Sequence, residues 1–274
     1  DRMMISLRPI GFVLTAAIVL ALALMALLMP KPSFAASGPW QGGSEMQVRL
    51  VTAIDSIADH QSVEAGLEVK LAPGWKIYWR SPGDAGLPPS LDFSKTSAIA
   101  GHEMFFPAPK RFSILGFDSF GYGDRVIYPL RLDLAKPGKG FDLAIPFEGL
   151  VCSDVCIPLR ETLTLSLPKG DGQIAREARD IAQFKARVPR ASTAAGVSLT
   201  RLVLDGDTLF ATFEQGGLPL EEAPDDVLIE AASGFAFAAP LWQSGQAVIK
   251  VTGKAPEELI GQAVTVTAIS PAWL

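Results

Sequence analysis

The sequence has 274 residues, of which 49% are hydrophobic, and a formal net charge of −5 at pH 7. This length accommodates one or two domains with substantial hydrophobic cores. The acidic balance argues against a nucleic-acid-binding protein and against a basic surface patch that would bind a membrane.

Residues 1–35 have the pattern of a secretory signal peptide. Arg2 and Arg8 precede an apolar run over residues 10–29, and small residues follow it around Ala35. A positive start, an apolar stretch and a small-residue end are typical of export signals, so we expect cleavage close to Ala35. The run is also long enough to cross a bilayer, so an uncleaved membrane anchor is the alternative. Either outcome places the remaining residues outside the cytoplasm.

Residues 40–170 are predicted to form a first β domain. Apolar residues alternate or cluster over strand-like lengths, and Pro and Gly turn signals separate these runs. The predicted strands lie at 46–54, 63–71, 126–134, 141–147 and 162–167. Several short strands with frequent turns indicate a mainly β protein with a β-sandwich.

Residues 171–196 are predicted to form a helix and a linker. Ile174, Ala178 and Ile181 recur at a spacing of three or four residues with charges between them, which is typical of an amphipathic helix. No Gly or Pro interrupts this pattern before Pro189, where we expect the helix to end.

Residues 197–274 are predicted to form a second, smaller β-sandwich-like domain. Asp205-Gly206-Asp207 is a strong hairpin signal between its first two strands. The sequence stops at Leu274 without a polar tail, so we expect this domain to be truncated and the chain to be a fragment. The predicted strands lie at 198–204, 208–213, 227–231, 247–251 and 263–269.

The chain has two cysteines, Cys152 and Cys156. In a fully extended strand, residues four apart lie ~13 Å apart, whereas a disulfide needs Cα atoms within about 7 Å. If the two cysteines pair, the backbone must therefore turn between them, and Ser153-Asp154 supplies suitable turn residues.

Three interpretations of this pair follow from the residues. As a structural staple, so small a ring would contribute only about 2 kcal/mol. As a redox pair in an oxidising compartment, a tight and strained ring would be readily exchanged, and we favour this interpretation. As a soft two-thiolate site, the cysteines would bind or deliver Cu(I), with His60, His102 or Met104 as further ligands.

The segment at 116–124 places aromatic residues between glycines upstream of the cysteines. It either closes one end of the sandwich as an aromatic cluster or forms a mobile lid. In the second case, Phe120 or Tyr122 would cover the thiol pair and limit its exchange with other oxidants. The sequence leaves both alternatives open.

The stretch at 116–158 resembles the periplasmic N-terminal domain of DsbD, the transmembrane thiol:disulfide interchange protein. The shared order is an aromatic and glycine-rich segment, a strand, a Lys-Pro-Gly turn, and a cysteine pair followed by a proline. The C-x3-C spacing and the segment at 74–88, with the sequence GWKIYWRSPGDAGLP, are similar to the ScsB-like branch of this family. The resemblance covers roughly residues 44–270.

This resemblance implies an immunoglobulin-like sandwich and a role as a component of a periplasmic protein-disulfide reductase. The domain is expected to receive electrons from the thioredoxin-like domain of the full-length protein, whose transmembrane part tethers it to the inner membrane. It would then reduce thioredoxin-fold partners of the disulfide isomerase type by electron transfer through thiols, without a cofactor. Copper tolerance is a further association of this family.

The resemblance also implies roles for individual residues. Cys156 would form the mixed disulfide with donor and acceptor, and Cys152 would be the resolving cysteine. The cap would consist of Phe120, Tyr122 and Gly123.

Two departures from DsbD limit what carries over. The DsbD cysteines are spaced more widely, so the ring geometry and reduction potential do not transfer. Ser119 follows Asp118 where DsbD has a second carboxylate. Asp118 and Asp154 are the local acids that would raise a cysteine pKa, because a nearby negative charge disfavours the thiolate. In the segment at 74–88 we expect the aromatic residues to pack in the core, with Arg80 over an aromatic face.

Overall fold

The computed structural model describes residues 36–83, 86–114, 116–191, 196–243 and 245–270. The predicted signal peptide or anchor at 1–35 lies outside the described residues. Among the residues that are described, no helix is both long and apolar enough to cross a membrane. The described residues belong to one compact unit.

Two antiparallel sheets form the first part of the chain. The strands are β1 (Gln41–Gly42), β2 (Met46–Thr52), β3 (Ser62–Leu71), β4 (Lys76–Gly83), β5 (Ser90–Leu91), β6 (Ile99–Met104), β7 (Lys110–Ile114), β8 (Phe117–Tyr122), β9 (Arg125–Leu134), β10 (Phe141–Cys152) and β11 (Cys156–Leu167). The first sheet has the order β1-β2-β3-β9-β6, and the second has the order β11-β10-β4-β8-β7, with β5 also paired to β10.

The inner faces of these sheets share one hydrophobic core. Alternate residues of β10 are buried, including Leu143, Ile145 and Phe147, as expected for strands with one face turned inward. Trp79 and Tyr128 are the largest fully buried side chains of this core. The prediction of an immunoglobulin-like sandwich is confirmed by this architecture.

A single α-helix among the described residues, α1 (Ala178–Lys185), covers the outer face of the first sheet. Ile181 of this helix packs on Val51 and Ile127. Gly66 in β3 leaves space there, since a Cβ at this position would lie 2.5 Å from Ile127 Cγ2. The helix explains why the first sheet is buried on both faces in its central strands.

The remaining strands form a second β structure with its own hydrophobic cluster. They are β12 (Val197–Asp205), β13 (Thr208–Gln215), β14 (Leu218–Pro219), β15 (Asp226–Glu230), β16 (Phe235–Phe237), β17 (Leu241–Gln243), β18 (Gln246–Gly253) and β19 (Thr265–Ile269). One sheet has the order β12-β13-β18-β16, with β14 on β13 and β17 on β18, and β15 pairs with β19. The prediction of a second, smaller β structure after the helix is therefore confirmed.

The sequence pattern did not predict β4 and β6–β8 as strands. Strand β4 is rich in aromatic residues, and β6 alternates weakly because several of its side chains are exposed. The predicted hairpin at Asp205-Gly206-Asp207 is present, with Asp205 opposite Thr208. Gly206 adopts φ +58°, a conformation that suits glycine in such a turn.

Candidate functional site

The two cysteines end the two strands of one β-hairpin. Strands β10 and β11 pair without a break along their length, and the last pair of the register is Cys152 opposite Cys156. Their Cα atoms lie 4.1 Å apart, and the side chains form a disulfide. The backbone turns between them, with Ser153 N donating to Val155 O at 2.9 Å. The turn that a disulfide between Cys152 and Cys156 requires is therefore present.

The two halves of this disulfide differ in exposure. Cys152 is 0% exposed, whereas Cys156 is exposed to solvent. The neighbours of Cys156 are exposed too, and they are apolar: Val155 is 58% exposed and Ile157 is 37% exposed. Because exchange requires a thiolate to reach a sulfur atom, an incoming thiol reaches Cys156 more readily than Cys152.

Cys152 is buried although it lies on the outer face of the second sheet. Its neighbour Val151 points into the main core, so the alternation of a strand turns Cys152 outward. There it forms a small cluster with Tyr78, against which Phe112 and Leu150 pack. The ring centroids of Tyr78 and Phe112 lie 6.1 Å apart. Aromatic side chains from β4 and β7 therefore shield this cysteine.

Tyr78 is held tightly in that cluster. Its side chain is 0% exposed, and burial raises the pKa of its hydroxyl. A Cβ added to Gly86 would overlap the Tyr78 ring, so only glycine fits against it at that point. Among the described residues, the Tyr78 hydroxyl has no hydrogen-bond partner. Neither Tyr78 nor Phe112 was assigned to the site from the sequence, because both lie far from the cysteines along the chain.

The predicted cap residues Phe120 and Tyr122 lie in the main core instead. Both are less than a tenth exposed and belong to the large cluster between the sheets. The Tyr122 hydroxyl donates to Pro107 O at 2.6 Å, and its ring meets Tyr128 edge-on at 5.3 Å. In this conformation they pack as an aromatic cluster, and the cover over Cys152 comes from Tyr78 and Phe112. The lid role of Phe120 and Tyr122 stays a prediction.

Gly123 follows β8 and is half-buried beside Lys76. A Cβ at Gly123 would lie 3.0 Å from Lys76 Nζ. Lys76 itself pairs with Cys152 in the register of β4 and β10. The structure therefore brings Gly123 near the strand position opposite the buried cysteine.

The two predicted tuning acids occupy different surroundings. Asp154 is exposed in the turn between the cysteines. Asp118 accepts a hydrogen bond from Arg111 Nη1 at 2.9 Å, and this cation offsets its charge. An electrostatic effect of Asp118 on the thiols is weakened by this pairing. Arg111 was not predicted as part of the site, because the strand that carries it was not predicted either.

The predicted core role of the segment at 74–88 is confirmed for its central residues. Trp79 is 0% exposed in the main core, and the Arg80 guanidinium carbon lies 4.4 Å from the centroid of the Trp79 ring.

The copper alternative requires further ligands near the cysteines. His102 lies in β6 of the first sheet, whereas the cysteines lie in the second sheet, and the His102 ring stacks on Phe93. In the described ranges, no group of three or more His, Cys, Asp or Glu side chains is placed to hold a metal.

Comparisons with known proteins relate this chain to one family and to two solved structures. The family model of the thiol:disulfide interchange protein DsbD, N-terminal, matches residues 47–168. The N-terminal periplasmic domain of ScsB from Proteus mirabilis aligns with a TM-score of 0.66 and 22% identity, over 87% of this chain and 95% of that chain. The reduced DsbD N-terminal domain of Neisseria meningitidis aligns with a TM-score of 0.27 and 13% identity, over 44% and 85%. A search of curated protein sequences gives no match.

The family match and the disulfide together support thiol–disulfide exchange as the chemistry of the site. The match ends just beyond β11, so it includes the whole cysteine hairpin. Residues 47–168 of this chain therefore form a DsbD N-terminal-like domain, within a fold shared with the periplasmic domain of ScsB.

Proposed function

We propose that this chain is the periplasmic exchange module of a protein-disulfide reductase. It takes electrons from a membrane-linked thioredoxin-like donor and passes them to thioredoxin-fold partners. The observation that carries this proposal is the unequal exposure of Cys156 and Cys152 within one disulfide. An inert staple has no need of an exposed cysteine flanked by exposed apolar residues, whereas an exchange site needs a cysteine that a partner can reach.

The first half of the cycle reduces the module. A donor thiolate attacks the sulfur of Cys156, the Cys152–Cys156 bond breaks, and Cys152 leaves as a thiolate that takes up a proton. The second thiol of the donor then attacks the donor sulfur of the mixed disulfide. The donor leaves as a disulfide, Cys156 is released as a thiolate, and two electrons have moved to the module.

The second half of the cycle reduces the acceptor. The Cys156 thiolate attacks the acceptor disulfide and forms a new mixed disulfide. Cys152 then attacks Cys156, the module disulfide closes, and the acceptor leaves with two thiols. Burial of Cys152 suits this resolving role. It keeps the Cys152 thiol away from foreign oxidants, while Cys156 stays within its reach.

Exposed apolar residues supply the surface that a partner would contact. Val155 and Ile157 flank Cys156 at the end of the hairpin, and Pro158, the next residue, is also exposed. Exposed apolar residues that form a contiguous patch commonly mark interaction sites, whereas single scattered ones do not. We propose that the thioredoxin-fold donor and acceptor dock here in turn.

Trapping tests this function. Cys152→Ser removes the resolving thiol, so its Cys156 is expected to accumulate a mixed disulfide with a thioredoxin-fold protein that itself lacks its resolving cysteine. Cys156→Ser is the matched control and is expected to trap little, because its remaining cysteine is buried. The adduct is measured by non-reducing electrophoresis and by mass mapping of the linked peptides. Equal trapping by both variants, or by neither, would refute the assignment.

A further inference from the structure

We propose that the second β structure positions the cover of Cys152, and that Arg111 is the positioning residue through which it acts. This inference rests on the proposed exchange function and concerns which sulfur a partner or oxidant can reach. The link runs from Asp226 in the second β structure, through Arg111 in β7, to the adjacent Phe112 beside the disulfide.

Arg111 uses its whole guanidinium group at the junction. Its Nε and Nη2 donate to the two carboxylate oxygens of Asp226 at 2.9 and 3.0 Å. Its Nη1 donates to Asp118 Oδ2 at 2.9 Å and to Phe237 O at 3.1 Å. The side chains of Arg111 and Asp226 are each 14% exposed. A two-pronged, partly buried pair of this kind fixes orientation as well as distance.

Arg111 also contacts the predicted cap. Its guanidinium carbon lies 4.7 Å from the centroid of the Phe120 ring, directly across the β7–β8 ladder. Asp118 lies two residues earlier in β8. The Arg111 guanidinium therefore joins β7 and β8 of the first sandwich to the Asp226 carboxylate of the second β structure.

The neighbouring residue carries this restraint to the disulfide. In a strand, successive side chains point to opposite faces, so Phe112 turns away from Arg111 toward the outer face of the sheet. There Phe112 packs against the small cluster of Tyr78 and Cys152, with its ring next to that of Tyr78. A displacement of β7 at Arg111 would therefore move the aromatic ring that covers the resolving cysteine.

The acidic end of this link is itself anchored to the first sandwich. Asp226 begins β15, and Leu228 of the same strand is 1% exposed within the core of the first sandwich. At the other end of β15, Glu230 pairs with Arg80 at 2.6 Å. Strand β15 thus holds β7 through Arg111 and β4 through Arg80, and these two strands supply the rings that cover Cys152.

Alkylation of the reduced protein tests the inference. Cysteine reactivity is measured with iodoacetamide on the reduced protein of residues 36–274 under native conditions, and mass mapping gives the separate rates at Cys152 and Cys156. Asp226→Ala is expected to raise the rate at Cys152 relative to Cys156 by at least about tenfold, because both charge-assisted hydrogen bonds from Arg111 are lost and local opening becomes more favourable. Asp226→Asn, which keeps one acceptor oxygen, is expected to give a smaller rise and serves if the alanine variant does not fold.

The matched control is Asp207→Ala, which breaks the exposed ion pair with Lys250 in the same β structure. It is expected to leave the ratio of rates unchanged. An unchanged ratio in both Asp226 variants, or an equal change in the Asp207 control, would overturn the inference. Wild-type protein that alkylates Cys152 as fast as Cys156 would instead contradict the proposed function, so the two failures are distinguishable.

Discussion

Single residues decide which half of the disulfide is exposed. From the C-x3-C spacing, the sequence predicted that a disulfide between the two cysteines would need a turn between them. It did not predict the burial of Cys152, because that burial comes from Tyr78 and Phe112, which lie far away in the chain. The glycine-rich segment around Phe120 drew attention as a lid, yet Phe120 and Tyr122 pack in the core between the sheets. Local composition identifies aromatic residues, but strand register decides which face they occupy.

The Tyr78 hydroxyl gives a prediction at this scale. Tyr78→Phe is expected to leave the free energy of unfolding unchanged or to raise it, because the buried hydroxyl has no partner among the described residues. Tyr128→Phe is the matched variant, since the Tyr128 hydroxyl donates to Tyr78 O at 2.9 Å. It is expected to lower the free energy of unfolding by about 1 kcal/mol. Urea unfolding measures both, and a loss in Tyr78→Phe as large as in Tyr128→Phe would contradict the prediction.

Two buried tyrosines predict the alkaline limit of stability. Burial raises the pKa of Tyr122 and of Tyr128 well above the usual value. The unfolded chain ionises its tyrosines near pH ~10, so folding favours the neutral form and this contribution is complete below that pH. Stability is therefore expected to fall as the pH rises above ~10. Urea midpoints across this range measure the fall, and Tyr122→Phe is expected to reduce its slope.

Elements are set by competition between local pattern and tertiary pairing. The apolar spacing predicted a helix from residue 171 to 188, whereas α1 spans Ala178–Lys185. The difference arises because Gln173 O accepts from Asp55 N at 3.0 Å and Ala175 N donates to Ala53 O at 2.9 Å. These bonds tie the first part of the pattern to residues 53–55, directly after β2, before the helix begins. The sequence predicted the amphipathic face and a strand at 46–54, but it did not predict that these two segments pair.

The packing of α1 gives a prediction at the element scale. Ile181→Ala is expected to lower the free energy of unfolding by about 2–4 kcal/mol, because the side chain is buried against Val51 and Ile127. Ile174→Ala is the same substitution in the same predicted helix, but Ile174 is 85% exposed. It is expected to change stability by less than about 0.5 kcal/mol. Similar losses in the two variants, measured by urea unfolding, would mean that α1 does not cover the sheet as described.

The whole molecule is more continuous than its sequence divisions. The composition predicted separate β domains at 40–170 and 197–274. We propose that these two domains correspond to the two hydrophobic clusters. However, Leu228 and Ile269 lie in the second predicted domain and belong to the core of the first. Neighbouring residues of β15 and β19 pack in the second cluster instead. Because the faces of a strand alternate, this two-stranded ribbon is shared by both cores, which no local pattern predicts.

Hydrogen exchange tests this shared ribbon. Leu228→Ala removes a side chain that is 1% exposed in the first core, although it lies in the second half of the chain. Exchange is therefore expected to rise in β4, which Arg80 joins to Glu230 of β15, as well as in β15 itself, because the cavity opens in the core of the first sandwich. Ile249→Ala is the control, since Ile249 is fully buried within the second cluster. It is expected to raise exchange in β13 and β18 and to leave β4 protected. If Leu228→Ala raised exchange only beyond residue 196, the two cores would be independent, and the second β structure would have no mechanical path to the disulfide.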